Sequence, residues 1–272
     1  METISPEVVG MSSDRLAQIT PTMQSYVDSN KLAGIATLVV RQGQIVHSDA
    51  VGYQDKEANI PLHDDTIYRI YSMTKPIISI ALMQLYEKGK FQLYDPVEKY
   101  IPAFGKTKVC EGTTITGLKL ADQATPMTIQ HLLTHTSGLS YGSYHDTPVD
   151  ALYRDIDRSN PDITLEAMVN IFADIPLAFQ PGTQWRYSLA TDVCGYLIQV
   201  ISGMPFETYL QENIFKPLNM IDTGFLVPTD KVDRFAAVYN EQLQPLKPSR
   251  HSLPRDYTIR VISCRYKTFV VC

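Results

Sequence analysis

Tyr68-Arg69-Ile70-Tyr71-Ser72-Met73-Thr74-Lys75-Pro76 is the stretch on which the reading of this chain turns. Tyr68 to Tyr71 reads as a short extended approach. An apolar helix is predicted from about Ser72 to Lys88, with Gly89 as its stop. On a helix, positions i and i+3 share a face, so this spacing sets the Lys75 amine beside the Ser72 hydroxyl. A serine hydroxyl is a weak nucleophile until a neighbouring base takes its proton. At a helix N-terminus its own N–H also points outward, at the positive end of the dipole, where a developing oxyanion is stabilised. Pro76 falls in the first turn, where a missing backbone donor is tolerated. The pair alone proves little. With 17 serines and 13 lysines in 272 residues, chance supplies about one S-x-x-K. A bare match is most simply a helix cap followed by a solvated lysine.

Working outward, Leu16, Ile19, Met23 and Val27 recur at helical spacing and predict an amphipathic helix over residues 14–30. Two β-prone runs, 34–40 and 44–52, flank Arg41-Gln42-Gly43 and predict a hairpin. Residues 94–220 read as mostly helix and loop. Thr128 is placed as the cap of a helix through Leu133, Thr164 as the cap of another through Phe172, and a third spans 189–201 before Ser202-Gly203. From about Gln242 prolines and basic residues crowd together. Residues 257–272 then read as β-prone, with an abrupt apolar ending at Val270-Val271-Cys272.

The composition, 44% hydrophobic and 19% charged, is that of an ordinary globular chain. A net charge of -5 gives no reason to expect nucleic acid or an anionic membrane as partner. No run of about 18 apolar residues is present to span a bilayer. Residues 1–20 lack the pattern of a secretory leader, so a cytoplasmic location is expected. Cys110, Cys194, Cys264 and Cys272 are scattered and read as free thiols. No dinucleotide or Walker-type glycine pattern occurs. His131 and His135 are four apart, as zinc ligands can be. Leu132 stands where a metalloprotease needs its Glu, so a packed histidine and a loop anchor beside Gly138 are the better reading. Neither metal nor cofactor is expected. Trp185 reads as a core residue, Lys106 and Lys108 as solvated charges, and Tyr141 to Asp146 as a loop able to line a pocket.

Two further segments accompany Ser72-x-x-Lys75: Leu132-Leu133-Thr134-His135-Thr136-Ser137-Gly138-Leu139 and Pro181-Gly182-Thr183-Gln184-Trp185-Arg186-Tyr187-Ser188. The three together, in this order, resemble the serine β-lactamase and penicillin-binding-protein superfamily. They look most like its branch of family VIII carboxylesterases and class C β-lactamases. The resemblance covers roughly residues 10–240. It implies an α/β chain of the α+β type, β-lactamase/transpeptidase-like, with an antiparallel sheet, helices and an all-helical subdomain. Residues 1–240 would form that domain, with strands at 34–53 and the helical block at about 68–235, and 241–272 an atypical tail. It implies Ser72 as the acyl-accepting nucleophile, and Lys75 and Tyr187 as the pair that shares its proton. The β-lactamase pattern Tyr-x-Asn is here Tyr187-Ser188-Leu189, which fits the family's esterases better. The implied activity is cofactor-free hydrolysis of a small-molecule ester or amide, chiefly short acyl esters. Acyl transfer to a small acceptor, β-lactam hydrolysis, and a truncated non-catalytic remnant or binding protein are the alternatives.

One element of that resemblance is missing. Relatives carry Lys-Thr-Gly, His-x-Gly or Trp-x-Gly late in the chain, on a strand beside the nucleophile. No such motif follows Tyr187. Lys267-Thr268-Phe269 is the nearest approach, with Phe in place of the Gly that lets backbone come close to ligand. The tail has room for one or two of the later strands. The sheet is therefore expected to be incomplete, as in a truncated or frame-altered product.

Overall fold

The structure is a computed structural model and describes residues 2–157 and 163–246. The Lys267-Thr268-Phe269 stretch, Cys264, Cys272 and the β-prone run at 257–272 lie outside the described residues. Those that are described fall into two compact units, residues 2–71 with 219–246, and residues 72–157 with 163–218.

The first unit carries the sheet. The helix expected over 14–30 is two helices, α1 (Ser13–Leu16) and α2 (Ile19–Asp28). Pro21 in the first turn of α2 has no N–H to give the carbonyl of Ala17, so the helix restarts instead of running through. Strands β1 (Gly34–Arg41) and β2 (Gln44–Asp55) pair antiparallel, from Gly34 opposite Gly52 to Arg41 opposite Gln44. The two-residue loop between them, Gln42-Gly43, has φ of 51° and 74°. Two successive positive φ values match the twist of a tight hairpin, which is why a glycine belongs there. A short β3 (Ile60–Pro61) adds to β2, giving the order β1-β2-β3. Chain from 219–246 returns to this unit. Phe235 bridges Ile67 in parallel, and the N–H of Ala237 donates to the carbonyl of Gln54 at 2.9 Å. Arg234 holds the buried Asp222 at 2.7 Å and Asp65 at 3.1 Å, so the buried carboxylate is compensated.

The second unit is built on two long helices. Helix α3 (Thr74–Glu87) buries Ile77, Ile78, Ala81, Leu82 and Leu85. Helix α7 (Ala190–Ser202) packs on it through a stretch that buries Val193, Cys194, Leu197 and Ile198. Between them in sequence come α4 (Ile129–Leu133), α5 (Pro148–Arg154) and α6 (Leu165–Asp174), and α8 (Phe206–Leu210) follows. Thr164 caps α6 by accepting from the N–H of Ala167 at 3.1 Å. Thr164→Ala is expected to cost about 1 kcal/mol in a urea melt; no measurable loss would mean the cap contributes nothing.

This unit is not helical throughout. β4 (Val109–Thr114) and β5 (Gly117–Ala121) form an antiparallel hairpin. Thr113-Thr114-Ile115-Thr116 is a β-branched run that disfavours helix, and Gly112 and Gly117 take φ of 137° and 139°. The base of the hairpin is fixed at Leu177, whose N–H and carbonyl pair with Lys108 and Cys110 at 2.8 Å each. Lys108 is half exposed and pairs with Asp122, in keeping with a solvated charge.

Candidate active site

Ser72 lies in a 3-10 turn, Tyr71–Met73, directly before α3. Tyr71, the residue before it, has φ of 43°, a region that costs a bulky side chain free energy. Lys75 follows in the first helical turn, as the i, i+3 spacing requires. The Ser72 Oγ stands 2.7 Å from the hydroxyl of Tyr187, and the Lys75 Nζ sits over the Tyr187 ring, 4.6 Å from its centroid. Ser72 is exposed, while Lys75 and Tyr187 are half-buried. The three residues named from sequence are therefore together, with the hydroxyl reachable from solvent and its partners partly withdrawn from it.

Tyr187 is held by a ladder that knits the second sequence segment to the third. The N–H groups of Ala178, Gly182, Arg186 and Leu189 donate in turn to the carbonyls of Gly138, Thr136, His135 and Ser140, at 2.7, 2.7, 2.9 and 3.2 Å. The two strips run alongside each other only because their glycines allow it. A Cβ on Gly138 (φ 88°) would meet the Phe179 carbonyl at 2.5 Å, and one on Gly182 (φ 84°) would meet the His131 ring at 3.0 Å. Leu189 is 1% exposed, a core residue at the start of α7.

The two histidines have separate duties. His131 closes a capping box: its Nδ1 accepts from the Thr128 N–H at 3.2 Å while its own N–H donates to the Thr128 hydroxyl. His135, at φ 56°, lays its ring 5.0 Å from that of Tyr187 and places Nδ1 3.2 Å from the Ser188 hydroxyl. Trp185 departs from its expected place in the core. It is 66% exposed and meets His135 edge-on at 6.2 Å. Burial keeps both imidazoles neutral to lower pH than a free histidine, and at His135 the nearby Lys75 charge adds to this. As pH falls through the ordinary histidine range near ~6.5 the unfolded chain takes up protons first, so stability drops. Thermal midpoints are expected to fall from about pH 7.5 to 5.5, and His135→Asn to flatten part of that fall. An unchanged slope in the variant would remove His135 from the account.

Sequence reasoning read Tyr141 to Asp146 as a loop able to line a pocket, but gave Arg186 and Asp150 no role. Tyr141 and Tyr144 place their rings 5.6 and 5.4 Å from its ring, and Arg186 reaches toward the buried Asp150 at 3.6 Å. One signal was present: Thr147-Pro148-Val149-Asp150 has the threonine, proline and acidic residue of a helix start. Asp150 does complete a capping box with Thr147.

A family model described as Beta-lactamase matches residues 19–264. The chain belongs to that family. The match runs beyond the roughly 10–240 that the sequence resemblance covers. The chain is 32% identical to esterase EstB of Burkholderia gladioli over 254 residues, 90% of its own length and 60% of EstB's. It is 32% identical to lovastatin esterase of Penicillium rubens over 209 residues, 75% of its length and 51% of that protein's. The solved structure of EstCE1, a hydrolase with promiscuous acyltransferase activity, matches at a TM-score of 0.77 and 26% identity. That match covers 92% of this chain and 70% of EstCE1. The fold is thus the β-lactamase/transpeptidase-like one, helices with antiparallel strands, and the likeness includes the family's carboxylesterases. The chain spans little more than half the length of the two esterases, 60% and 51%.

Proposed function

We propose that this chain is the catalytic part of a serine hydrolase that cleaves short acyl esters through an acyl-enzyme on Ser72. What carries the reading is the 2.7 Å contact between the Ser72 and Tyr187 oxygens with the Lys75 Nζ over the same ring. The Ser72 Oγ attacks the ester carbonyl as its proton passes to the Tyr187–Lys75 pair, which takes it when one of the two groups, phenol or ammonium, has already given up its own. The Ser72 N–H stabilises the oxyanion. Collapse breaks the bond to the alkoxy oxygen, which leaves with that proton. Water then attacks the acyl-enzyme, giving up a proton to the same pair, and the pair returns it to the Ser72 Oγ as the bond to the acyl carbon breaks, freeing the acid and Ser72. No metal or cofactor enters this scheme. The likeness to EstB and lovastatin esterase supports a small ester or acyl substrate. The free thiols of Cys110 and Cys194 suit a reducing, cytoplasmic setting.

The test is fluorophosphonate treatment followed by mass spectrometry. One adduct on Ser72 and a burst of product from a chromogenic short-chain ester are expected. A chain that melts cooperatively yet takes no label would be a binding protein and not an enzyme. Acyl transfer to a small acceptor is a second reading, favoured by the likeness to EstCE1. A transesterified product that rises with added alcohol, while free acid falls, would select it. A β-lactam substrate is less well served, since the position after Ser188 carries the core residue Leu189 and no amide.

A further inference from the structure

The carboxylate of Asp150 does more than cap α5. Asp150 is fully buried. It accepts from the Ser140 hydroxyl, from the Thr147 N–H at 2.9 Å and from the Thr147 hydroxyl, and it faces Arg186 at 3.6 Å. Capping requires only Thr147; Ser140 and Arg186 are additional. Ser140 and Thr147 are the two ends of the 141–146 loop, so one side chain closes it. Arg154, at the far end of α5, fastens the same loop by donating to the Gly142 carbonyl and to Asp146 at 2.9 Å each. The loop carries Tyr141 and Tyr144, both against the Tyr187 ring, Tyr144 edge-on at 89°. Arg186, the other partner of Asp150, is the chain neighbour of Tyr187. With His135 and Lys75, the phenol ring is contacted by four side chains.

We propose that Asp150 is a positioning residue of this site: by tying Ser140, Thr147 and Arg186 together it holds Tyr141 and Tyr144 against Tyr187 and so fixes the phenol at the Ser72 hydroxyl. A phenol free to swing would meet Ser72 only part of the time, and misplacement of about an ångström can cost up to about 100-fold in rate. The consequence for rate rests on Ser72 and Tyr187 acting as described under Proposed function; the packing of the ring does not.

The experiment uses the full 272-residue chain. Tyrosines are labelled with carbon-13 at Cζ, and the Tyr187 resonance is identified by its loss in Tyr187→Phe. Asp150→Asn and Tyr144→Ala are both expected to move that resonance, and Tyr144→Phe to leave it near the parent position. Tyr144 is 62% exposed, so its truncation spares the fold even if Asp150→Asn weakens it. With a chromogenic short-chain ester, Tyr144→Ala is expected to lower kcat about tenfold with KM within about twofold, and the ring-preserving Tyr144→Phe to recover kcat. Combined with Asp150→Asn, the loss should fall short of the product of the two single losses. An unmoved Tyr187 resonance in Asp150→Asn, a change confined to KM, or two losses that multiply independently would each overturn the proposal. A moved resonance in a chain that turns over no ester would uphold the positioning and sink the esterase reading instead.

Discussion

Ser72→Ala is expected to lower turnover of a short-chain ester by about 10⁴-fold or more, the scale seen when a serine nucleophile is removed. The bond to the acyl carbon is made by the Ser72 Oγ, and the hydroxyl beside it, that of Tyr187, is the one assigned to take its proton. Ser188, the nearest serine to Tyr187 in sequence, is 1% exposed and engaged with His135. Because Ser72 is itself exposed and lies ahead of α3, alanine there leaves the core untouched. The melting curve should therefore match the parent while the fluorophosphonate adduct disappears. Retention of more than about a hundredth of the parent rate would put the nucleophile elsewhere.

Gly138→Ala carries the largest expected loss of stability. Its φ of 88° is costly for any side chain, about 1–2 kcal/mol. The added Cβ would also stand 2.5 Å from the Phe179 carbonyl and 2.9 Å from the Leu177 Cβ, well inside contact distance. Forcing these apart costs a further ~1–3 kcal/mol. The expected total, about 2–5 kcal/mol, is within reach of a urea melt. Gly10→Ala is the control. It shares the positive φ, at 72°, but has nothing within 4 Å of the new Cβ, so only the backbone cost should appear. Equal losses in the two variants would show that the close approach at Phe179 is relieved at no cost. A loss at Gly138 should also reduce ester turnover, because the strips it separates are the ones that hold Tyr187.

The parts of the site that sequence made legible are those set by local geometry or by a contiguous motif. The i, i+3 rule puts Lys75 on the same helix face as Ser72, and the family resemblance of the segment ending in Tyr187-Ser188 singled out the phenol that both approach. Thr128 and Thr164 announced helix starts because capping is read from a few neighbouring residues. Asp150 and Arg186 were given no role, and Tyr141 and Tyr144 were read only as part of a loop able to line a pocket, because what gathers them is a buried carboxylate whose partners lie as far as 36 positions away in sequence. Trp185 was misplaced because an apolar side chain suggests burial on average, while here its ring lies on the surface against His135. The β4–β5 hairpin was missed inside a block that otherwise carries helical caps. Its β-branched run is short, and only the pairing with Leu177 shows where it belongs.

The Ser72 and Tyr187 hydroxyls meet across 115 positions of chain. Closing so long a loop costs conformational entropy before any contact repays it, and such distant pairings belong to slowly folding topologies. Neither α3 nor the 178–189 strip holds the pair alone. A nascent chain released before Tyr187 has emerged therefore carries an S-x-x-K with nothing opposite it. Recovery of fluorophosphonate reactivity during refolding should trail the return of far-ultraviolet helix signal, so the last event of assembly is the one that arms the serine.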